Sequence, residues 1–262
     1  MMTRAYDKVM AARASGRPTA LRYIEGIFTD FVEMHGDRRY ADDAAIVTGI
    51  ARLNGRPVTV IGIERGTKLD ERIRRNFGSV HPEGYRKALR QMQLAEKFHR
   101  PVVCLVDTSG AACDIGAEER GEGQAIAENL MAMMGLKVPI ISIVIGEGGS
   151  GGALALAVAD EVWMMENAVY SVISPEGAAS ILWKDIHAAD KASEYLKLTA
   201  KELRQMNVVE RVFRENDNWA RVFSQVRARL GKSLEHYSTL DSEALLNHRY
   251  EKYRRIGRIV GA

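Results

Sequence analysis

The chain has 262 residues, of which 46% are hydrophobic and 27% are charged, a composition typical of globular proteins. Its 37 Lys and Arg residues nearly balance its 34 Asp and Glu residues, so the formal charge of +3 favours neither a nucleic-acid-binding protein nor a membrane-surface protein. The longest apolar runs, 138–145 and 153–159, are too short to span a bilayer. We therefore expect a cytoplasmic protein that is not embedded in a membrane.

The two cysteines and the N-terminal segment support the same compartment. Cys104 lies in an apolar run and Cys113 in a polar loop, so they form neither a disulfide framework nor a spaced set of zinc ligands. Residues 1–17 lack the apolar core of a secretion signal. The sequence thus predicts free thiols in a reducing cytoplasm and no metal bound by this chain.

The first hundred residues alternate helix-like and strand-like patterns. Apolar residues recur at helical spacing over 19–34, which predicts an amphipathic helix. The runs 45–53 and 57–63 are rich in β-forming residues and are joined by an Asn-Gly pair at 54–55, which is typical of a type I′ hairpin turn. A second helical stripe covers 82–98.

The middle of the chain repeats a strand, turn and helix pattern. The predicted elements are a strand at 102–106, a turn at 107–116, a helix at 118–134, a strand at 138–145, a glycine turn and a helix at 151–159. Continuous apolar strands that alternate with helices indicate parallel pairing and right-handed crossovers. The predicted fold class is therefore α/β.

Shorter elements follow this repeat. Two short strands are predicted at 161–165 and 169–173. Ser174-Pro175-Glu176 combines an N-cap, a first-turn proline and an acid, so a helix should begin there. Thr199 begins another helix, which Asn207 ends, and a charged, helix-rich segment completes the chain.

A glycine segment, residues 146–152, is the clearest candidate for chemistry. It reads Gly-Glu-Gly-Gly-Ser-Gly-Gly, follows an apolar strand and opens a helix of small residues. Several backbone N–H groups should converge there, an arrangement that stabilises negative charge. The segment matches more than one known motif, so the nature of the anion stays open at this point.

A dinucleotide site is one alternative. Gly146, Gly148 and Gly151 fit G-x-G-x-x-G, and Glu166 lies about where a ribose-binding acid would fall. The segment lies in mid-chain, however, and no regular mononucleotide-binding unit follows it.

A serine hydrolase is a second alternative, because Gly148, Ser150 and Gly152 also fit the nucleophile elbow G-x-S-x-G. Ser150 would then need a histidine partner, and the downstream candidates are His187, His236 and His248. A Gly-Lys-Ser triplet at 231–233 is no phosphate loop, because Val226 stands where that motif requires glycine.

Several longer segments resemble one family. The chain resembles the alpha subunit of bacterial acetyl-CoA carboxylase carboxyltransferase, a member of the crotonase-like superfamily, over about residues 20–210, in the segments 76–78, 81–88, 116–121, 145–152 and 170–177. The resemblance implies a crotonase-like fold of stacked ββα units with flanking N- and C-terminal helices. The implied division is an N-terminal helical segment at 1–40, a carboxyltransferase core at 41–215 and a C-terminal helical extension at 216–262.

The resemblance also implies a reaction and its partners. In the family, carboxybiotin on a biotin carboxyl carrier protein, charged by biotin carboxylase, gives its carboxyl group to acetyl-CoA to form malonyl-CoA for fatty acid synthesis. A beta subunit, usually with a zinc ribbon, carries most acyl-CoA contacts, and the expected assembly has two alpha and two beta chains. Biotin on its carrier and a CoA thioester are thus the implied cofactor and substrate.

The same resemblance places the site on the glycine segment. It implies that the Gly151 and Gly152 amides hold the ureido oxygen of biotin, while Gly148, Gly149 and Ser150 shape the segment and contact substrate. We expect a bulky residue at Gly151 to abolish transfer.

Further candidates lie on either side of the glycine segment. Gly110 and Ala111, in the preceding turn, are second candidates for amide donors. Ser174 and Glu176, in the last matching segment, are expected to contact substrate.

Two features lie outside the family pattern. Ala112, Cys113 and Asp114 stand where members commonly have an aromatic residue, then Pro or Cys, then Gly. A basic stretch, Arg65, Lys68, Arg72, Arg74 and Arg75, would suit a CoA phosphate, an acidic carrier surface or the partner subunit, and equally a solvated loop. Rivals to the carboxyltransferase subunit are a stand-alone crotonase-type hydratase or isomerase, the Ser150 hydrolase and a catalytically silent scaffold.

Overall fold

The structure, a computed structural model, describes residues 4–257. Its helices are α1 (Ala5–Arg13), α2 (Ala20–Ile27), α3 (Leu69–Arg74), α4 (Pro82–Lys97), α5 (Ile115–Glu119), α6 (Glu122–Gly135), α7 (Ser150–Leu154), α8 (Pro175–Trp183), α9 (Ala189–Leu196), α10 (Ala200–Gln205), α11 (Trp219–Tyr237) and α12 (Ser242–Arg255). Its strands are β1 (Thr29–Glu33), β2 (Ile46–Leu53), β3 (Arg56–Ile63), β4 (Val102–Thr108), β5 (Ile140–Gly149), β6 (Glu161–Met165), β7 (Val169–Ser171) and β8 (Arg211–Phe213).

The strands form one eight-stranded sheet in the order β1-β2-β3-β4-β5-β6-β8, with β7 paired to β5 beside this path. β1, β2 and β3 are antiparallel, and every pairing from β3 to β8 is parallel. The predicted α/β class and the parallel centre of the sheet are therefore confirmed. Because parallel strands end at the same edge, the segments that follow β3, β4 and β5 lie close together.

The hairpin prediction is confirmed in detail. β2 and β3 pair from Ile46 with Ile63 to Leu53 with Arg56, and the turn residues Asn54 and Gly55 have φ values of +51° and +82°. Positive φ at both central residues is what a type I′ turn requires, and Asn and Gly tolerate it with little strain.

The predicted helix at 19–34 is wrong beyond Ile27. Phe28 adopts extended backbone angles, and Thr29–Glu33 forms β1 on the edge of β2. Hydrogen bonding to an otherwise free strand edge thus outweighs a helical apolar spacing that continues past the end of α2.

The predicted helix at 118–134 is also corrected. It divides into α5 and α6, because Gly121 takes a left-handed φ of +80° between them. The predicted helix at 151–159 ends at Leu154, after five residues.

One large core cluster joins the sheet to helices from both ends of the chain. Tyr23 of α2 and Phe223 of α11 are buried with their ring centroids 5.0 Å apart, and both belong to the cluster that contains the β4 and β5 side chains. The N-terminal and C-terminal helices therefore share the hydrophobic core with the sheet. No helix in residues 4–257 is long and apolar enough to cross a membrane.

Candidate active site

The glycine segment is mostly strand rather than turn. β5 runs to Gly149, and its last residues Glu147, Gly148 and Gly149 pair with β7. The chain then reverses at Ser150, whose φ is +53°, and α7 begins. No side chain caps α7, so the first N–H groups of this short helix are left to other partners.

Because glycine has no side chain, the end of β5 and the start of α7 pack directly against the turn that follows β4. A Cβ built on Gly149 would lie 2.1 Å from the carbonyl oxygen of Ser109, and one on Gly152 would lie 2.6 Å from the amide nitrogen of Ala111. Real side chains do not tolerate such distances, so glycine is required at both positions. The segments after β4 and β5 therefore place their backbones in direct contact at one edge of the sheet.

Gly110 and Ala111, the second candidates for amide donors, differ in whether their N–H groups already have an acceptor. The Gly110 N–H donates to Thr108 Oγ1 at 3.0 Å, and the same hydroxyl donates to the Gly110 carbonyl oxygen at 2.8 Å. Because the Gly110 N–H already has an acceptor, these two bonds argue against the expected role of Gly110 as an amide donor to substrate. Within residues 4–257 the Ala111 N–H has no acceptor, so it keeps its role as a candidate donor.

Gly151 is less crowded than the other glycines of the segment. A Cβ built on it would meet only Ile126 of α6, at an ordinary contact distance of 3.8 Å. A methyl group is therefore sterically tolerated at Gly151, and the expectation that a bulky residue there abolishes transfer stays a prediction. The steric requirement falls on Gly149 and Gly152 instead.

A buried ion network fixes the edge on which the glycine segment lies. Asp107, just past the apolar run of β4, accepts the Glu147 N–H at 2.9 Å, and Arg65, two residues after β3, bridges the Asp107 and Glu147 carboxylates at 3.1 and 2.9 Å. Burial raises the pKa of Asp107, and the Arg65 guanidinium opposes this shift. Gly146 completes the packing, because a Cβ there would lie 2.4 Å from Asp107 Oδ1.

The network extends to Glu176, one of the two predicted substrate-binding residues of the last matching segment. Arg13 of α1 contacts Glu147 at 2.7 Å and makes a bidentate pair with Glu176, with distances of 2.6 and 3.2 Å. Ser174 accepts the Gly177 N–H at 3.1 Å and so caps α8 as predicted. Both Ser174 and Glu176 therefore have structural partners within the chain, and their expected substrate contacts stay predictions.

Sequence reasoning missed Arg13, Arg65, Asp107 and Glu147 as a unit. The available signal was topological, because Arg65, Asp107 and Glu147 follow the apolar runs of three strands, β3, β4 and β5, that neighbour each other in the sheet. Arg13 gave no signal, since its role depends on where α1 packs. Of the rest of the basic stretch, Arg75 donates to the Ala44 carbonyl oxygen at 2.6 Å.

The loop that departs from the family pattern has internal roles. Ala112 donates its N–H to the Val80 carbonyl oxygen at 2.9 Å. Asp114 caps α5 by accepting the Ala117 N–H at 3.0 Å and contacts His81 Nε2 at 3.2 Å. Cys113 is exposed and Cys104 is buried, and both are free thiols as predicted.

The structure does not support the hydrolase. Ser150 is exposed and has the positive φ of a nucleophile elbow, but no histidine in residues 4–257 hydrogen-bonds to it. His187 is exposed in a short 3₁₀ turn. His236 contacts the Tyr237 ring edge-on, and His248 of α12 contacts the same ring at a tilt.

The dinucleotide alternative is equally unsupported. Glu166, its proposed ribose ligand, accepts the Glu215 N–H at 2.8 Å, and the antiparallel β1–β3 portion is foreign to a doubly wound sheet.

Solved structures share this fold. A methylmalonyl-CoA-bound transcarboxylase 12S matches with a TM-score of 0.72 at 24% identity, over 87% of this chain and 42% of that chain. The beta subunit of Pseudomonas aeruginosa geranyl-CoA carboxylase matches with a TM-score of 0.68 at 18% identity, over 93% of this chain and 46% of that chain. The fold is thus the crotonase-like fold of carboxyltransferases, as predicted.

Sequence comparison gives the family. Residues 2–257 match the acetyl co-enzyme A carboxylase carboxyltransferase-like family. The chain is 62% identical over 257 residues to the acetyl-coenzyme A carboxylase carboxyl transferase subunit alpha of Ruminiclostridium cellulolyticum, covering 98% of this chain and 99% of that protein. It is 56% identical to the fused beta/alpha subunits of Natranaerobius thermophilus, over 97% of this chain and 43% of that longer protein. The chain belongs to the acetyl co-enzyme A carboxylase carboxyltransferase-like family, which confirms the resemblance and the predicted transferase class.

Proposed function

We propose that this chain is the biotin-side half of an acetyl-CoA carboxyltransferase that makes malonyl-CoA for fatty acid synthesis. The observation that carries the proposal is the close packing of Gly152 against Ala111, which places the start of α7 beside the turn that follows β4. These residues fit a ureido oxygen, because the Ala111 N–H has no acceptor within residues 4–257 and no side chain caps the first N–H groups of α7. Carboxybiotin supplies the carboxyl group, and its ureido oxygen becomes anionic as that group leaves.

The amides of Gly151, Gly152 and Ala111 are the proposed donors to that oxygen. Donors that are fixed before the reaction stabilise developing charge without reorganisation, and the loss of one typically slows an enzyme by about 10²- to 10³-fold. The Asp107, Glu147 and Arg65 network holds the strands from which these donors extend. Its carboxylates are engaged by the guanidinium, so we assign them to positioning rather than to proton transfer.

A beta subunit is the proposed partner. The beta/alpha fusion in Natranaerobius thermophilus joins the two kinds of subunit in one chain, which supports this partnership. The α8 and α9 region next to the glycine segment also exposes a group of apolar side chains of the kind that marks protein contacts, namely Val172, Ile181, Leu182, Ile186 and Tyr195. We propose that the beta subunit covers this group and brings the acyl-CoA.

The remaining partners complete the proposed pathway. A separate biotin carboxyl carrier protein, charged by biotin carboxylase, would present carboxybiotin to this chain in the cytoplasm. The two free cysteines agree with a reducing compartment. The malonate decarboxylase of Pseudomonas, a hetero-tetramer solved with coenzyme A, has the same fold with a TM-score of 0.66.

Reconstitution tests the proposal. The full chain is mixed with its beta subunit, and malonyl-CoA decarboxylation is followed with free biotin as acceptor. We expect turnover only when both chains are present. Turnover of enoyl-CoA by the chain alone would support the hydratase instead. If the complex still turns over when an added side chain blocks the glycine segment, the chain is a silent scaffold.

A further inference from the structure

Two buried polar side chains behind the glycine segment have no hydrogen-bond partner in the described chain. Glu122, the first residue of α6, is 4% exposed, and neither of its carboxyl oxygens has a partner within residues 4–257. Tyr85 of α4 is fully buried, and its hydroxyl has no partner within the same range. Unpaired polar groups are costly to bury, and a lone ionised carboxylate far more so.

The Tyr85 side chain lies next to the proposed amide donors, and Glu122 lies close enough to Tyr85 for its charge to raise the pKa of the Tyr85 hydroxyl. The Tyr85 hydroxyl is 2.8 Å from the point that a Cβ on Gly152 would occupy, and the Ala111 nitrogen is 2.6 Å from that same point. Glu122 lies one turn before Ile126 on α6, and Ile126 is the neighbour of Gly151. Glu122 and Tyr85 therefore form part of the wall on which the donors rest.

The charges around Glu122 oppose its ionisation. Burial and, after it, the charges of nearby carboxylates together raise the pKa of the Glu122 carboxyl to about 8; these carboxylates are Asp43, Glu83, Glu118 and Asp114.

The cationic side chains on the neighbouring elements pair with carboxylates other than Glu122. Arg120 pairs with Glu83 at 3.1 Å, Arg86 with Asp37 at 2.8 Å, and Lys87 with Asp42 at 2.6 Å. His81 contacts Asp114 at 3.2 Å. Glu122 thus has carboxylate neighbours and no cation of its own among the described residues.

We infer that Glu122 is a positioning residue that must stay protonated, so that with Tyr85 it forms a neutral wall behind the Gly151, Gly152 and Ala111 amides. This inference rests on the proposed function. A negative charge at Glu122 would oppose the anion that those amides stabilise, because like charges at close range in a buried site repel strongly. Protonated Glu122 is therefore the active form, and its ionisation sets an upper pH limit for transfer.

Stability tests the ionisation without any assay of activity. Thermal melts of the full chain are compared for wild type, Glu122→Gln and the control Glu119→Gln, which removes an exposed carboxylate nearby. Because the pKa of Glu122 is raised from its ordinary 4.5 to about 8, wild type loses stability relative to Glu122→Gln as pH rises through that window. The difference in Tm should grow between pH 5 and pH 8, then level off. A difference that does not change with pH overturns the inference, whatever the enzyme does.

Activity tests the positioning role. In the complex with the beta subunit, wild-type kcat should be about ten-fold lower at pH 9 than at pH 7, because about a tenth of the groups stay protonated one unit above a pKa of about 8. Glu122→Gln should keep its own pH 7 rate at pH 9, and Glu119→Gln should follow wild type. Identical pH profiles for wild type and Glu122→Gln overturn the role. A complex inactive at every pH contradicts the proposed function instead, and the melts still decide the protonation of Glu122.

Discussion

Gly149 and Ser109 are in backbone contact across neighbouring parallel strands, so that a Cβ on Gly149 would lie 2.1 Å from the Ser109 carbonyl oxygen. The contact joins the segments that follow β4 and β5. Because it involves backbone rather than a flexible side chain, an added methyl group can be accommodated only by separating the two segments.

Gly149→Ala should therefore lower stability and abolish transfer together. Overpacking typically costs about 1–3 kcal/mol of stability. Because the added methyl group displaces the glycine segment, the complex should also lose most of its turnover. Gly151→Ala is the matched control, since its Cβ would only touch Ile126 at 3.8 Å. Thermal melts of the full chain and malonyl-CoA decarboxylation by the complex measure both effects. Equal activity of the two variants would contradict the assigned geometry.

The Thr108 hydroxyl should be needed for the Ala111 donor. It closes the turn by bonding both the N–H and the carbonyl oxygen of Gly110. Thr108→Val removes both bonds, and we expect kcat to fall by about ten-fold or more, while KM for malonyl-CoA changes little because transition-state stabilisation is what is lost. Thr108→Ser keeps the hydroxyl and should keep most activity. A serine variant as impaired as the valine variant would show that the methyl group, not the hydroxyl, matters.

The sequence predicts the regular part of this fold well. The Asn54-Gly55 hairpin, the continuous apolar strands and the Ser174 and Thr199 helix starts are local signals, and the structure has each of them. β1 fails as a prediction because its formation depends on the edge of β2, a partner that local spacing cannot reveal.

The candidate site is only partly readable from the sequence. The glycine segment was evident, but which glycine is sterically required depends on Ser109 and Ala111, which approach it only in the fold. The sequence likewise gives no sign that Glu122 is buried without a partner among the described residues. An acid at the start of a helix suggests only a favourable interaction with the helix dipole.

Arg65 should be the residue whose loss most disturbs the buried network. Arg65→Met leaves Asp107 and Glu147 close together without their shared cation, and breaking a buried pair typically costs about 3–5 kcal/mol. Arg72→Met is the control, because Arg72 lines a surface cavity together with Arg65 and Asp107 but has no ion pair among the described residues. Urea unfolding of the full chain should separate the two variants clearly. Similar midpoints would mean that the Asp107 and Glu147 carboxylates do not depend on Arg65.

Arg249 should anchor the C-terminal helix to the sheet. It is fully buried, pairs with Asp160 at 2.9 Å, and donates to the carbonyl oxygens of Met133, Leu136 and Val138. Arg249→Ala would leave the buried Asp160 carboxylate without its cation, with only the Ile140 N–H as donor among the described residues, and would remove the guanidinium donors of these carbonyls, at a cost of about 3–5 kcal/mol.

Lysine should not rescue this position, because one ammonium group cannot reproduce the planar fork that reaches Asp160 and the carbonyl oxygens together. Arg254→Ala, at an exposed position of the same helix, should leave the free energy of unfolding within about 0.5 kcal/mol of wild type. Urea unfolding measures all three variants. Full stability of Arg249→Lys would mean that the charge alone holds α12 in place, and the argument from the guanidinium geometry would then be wrong.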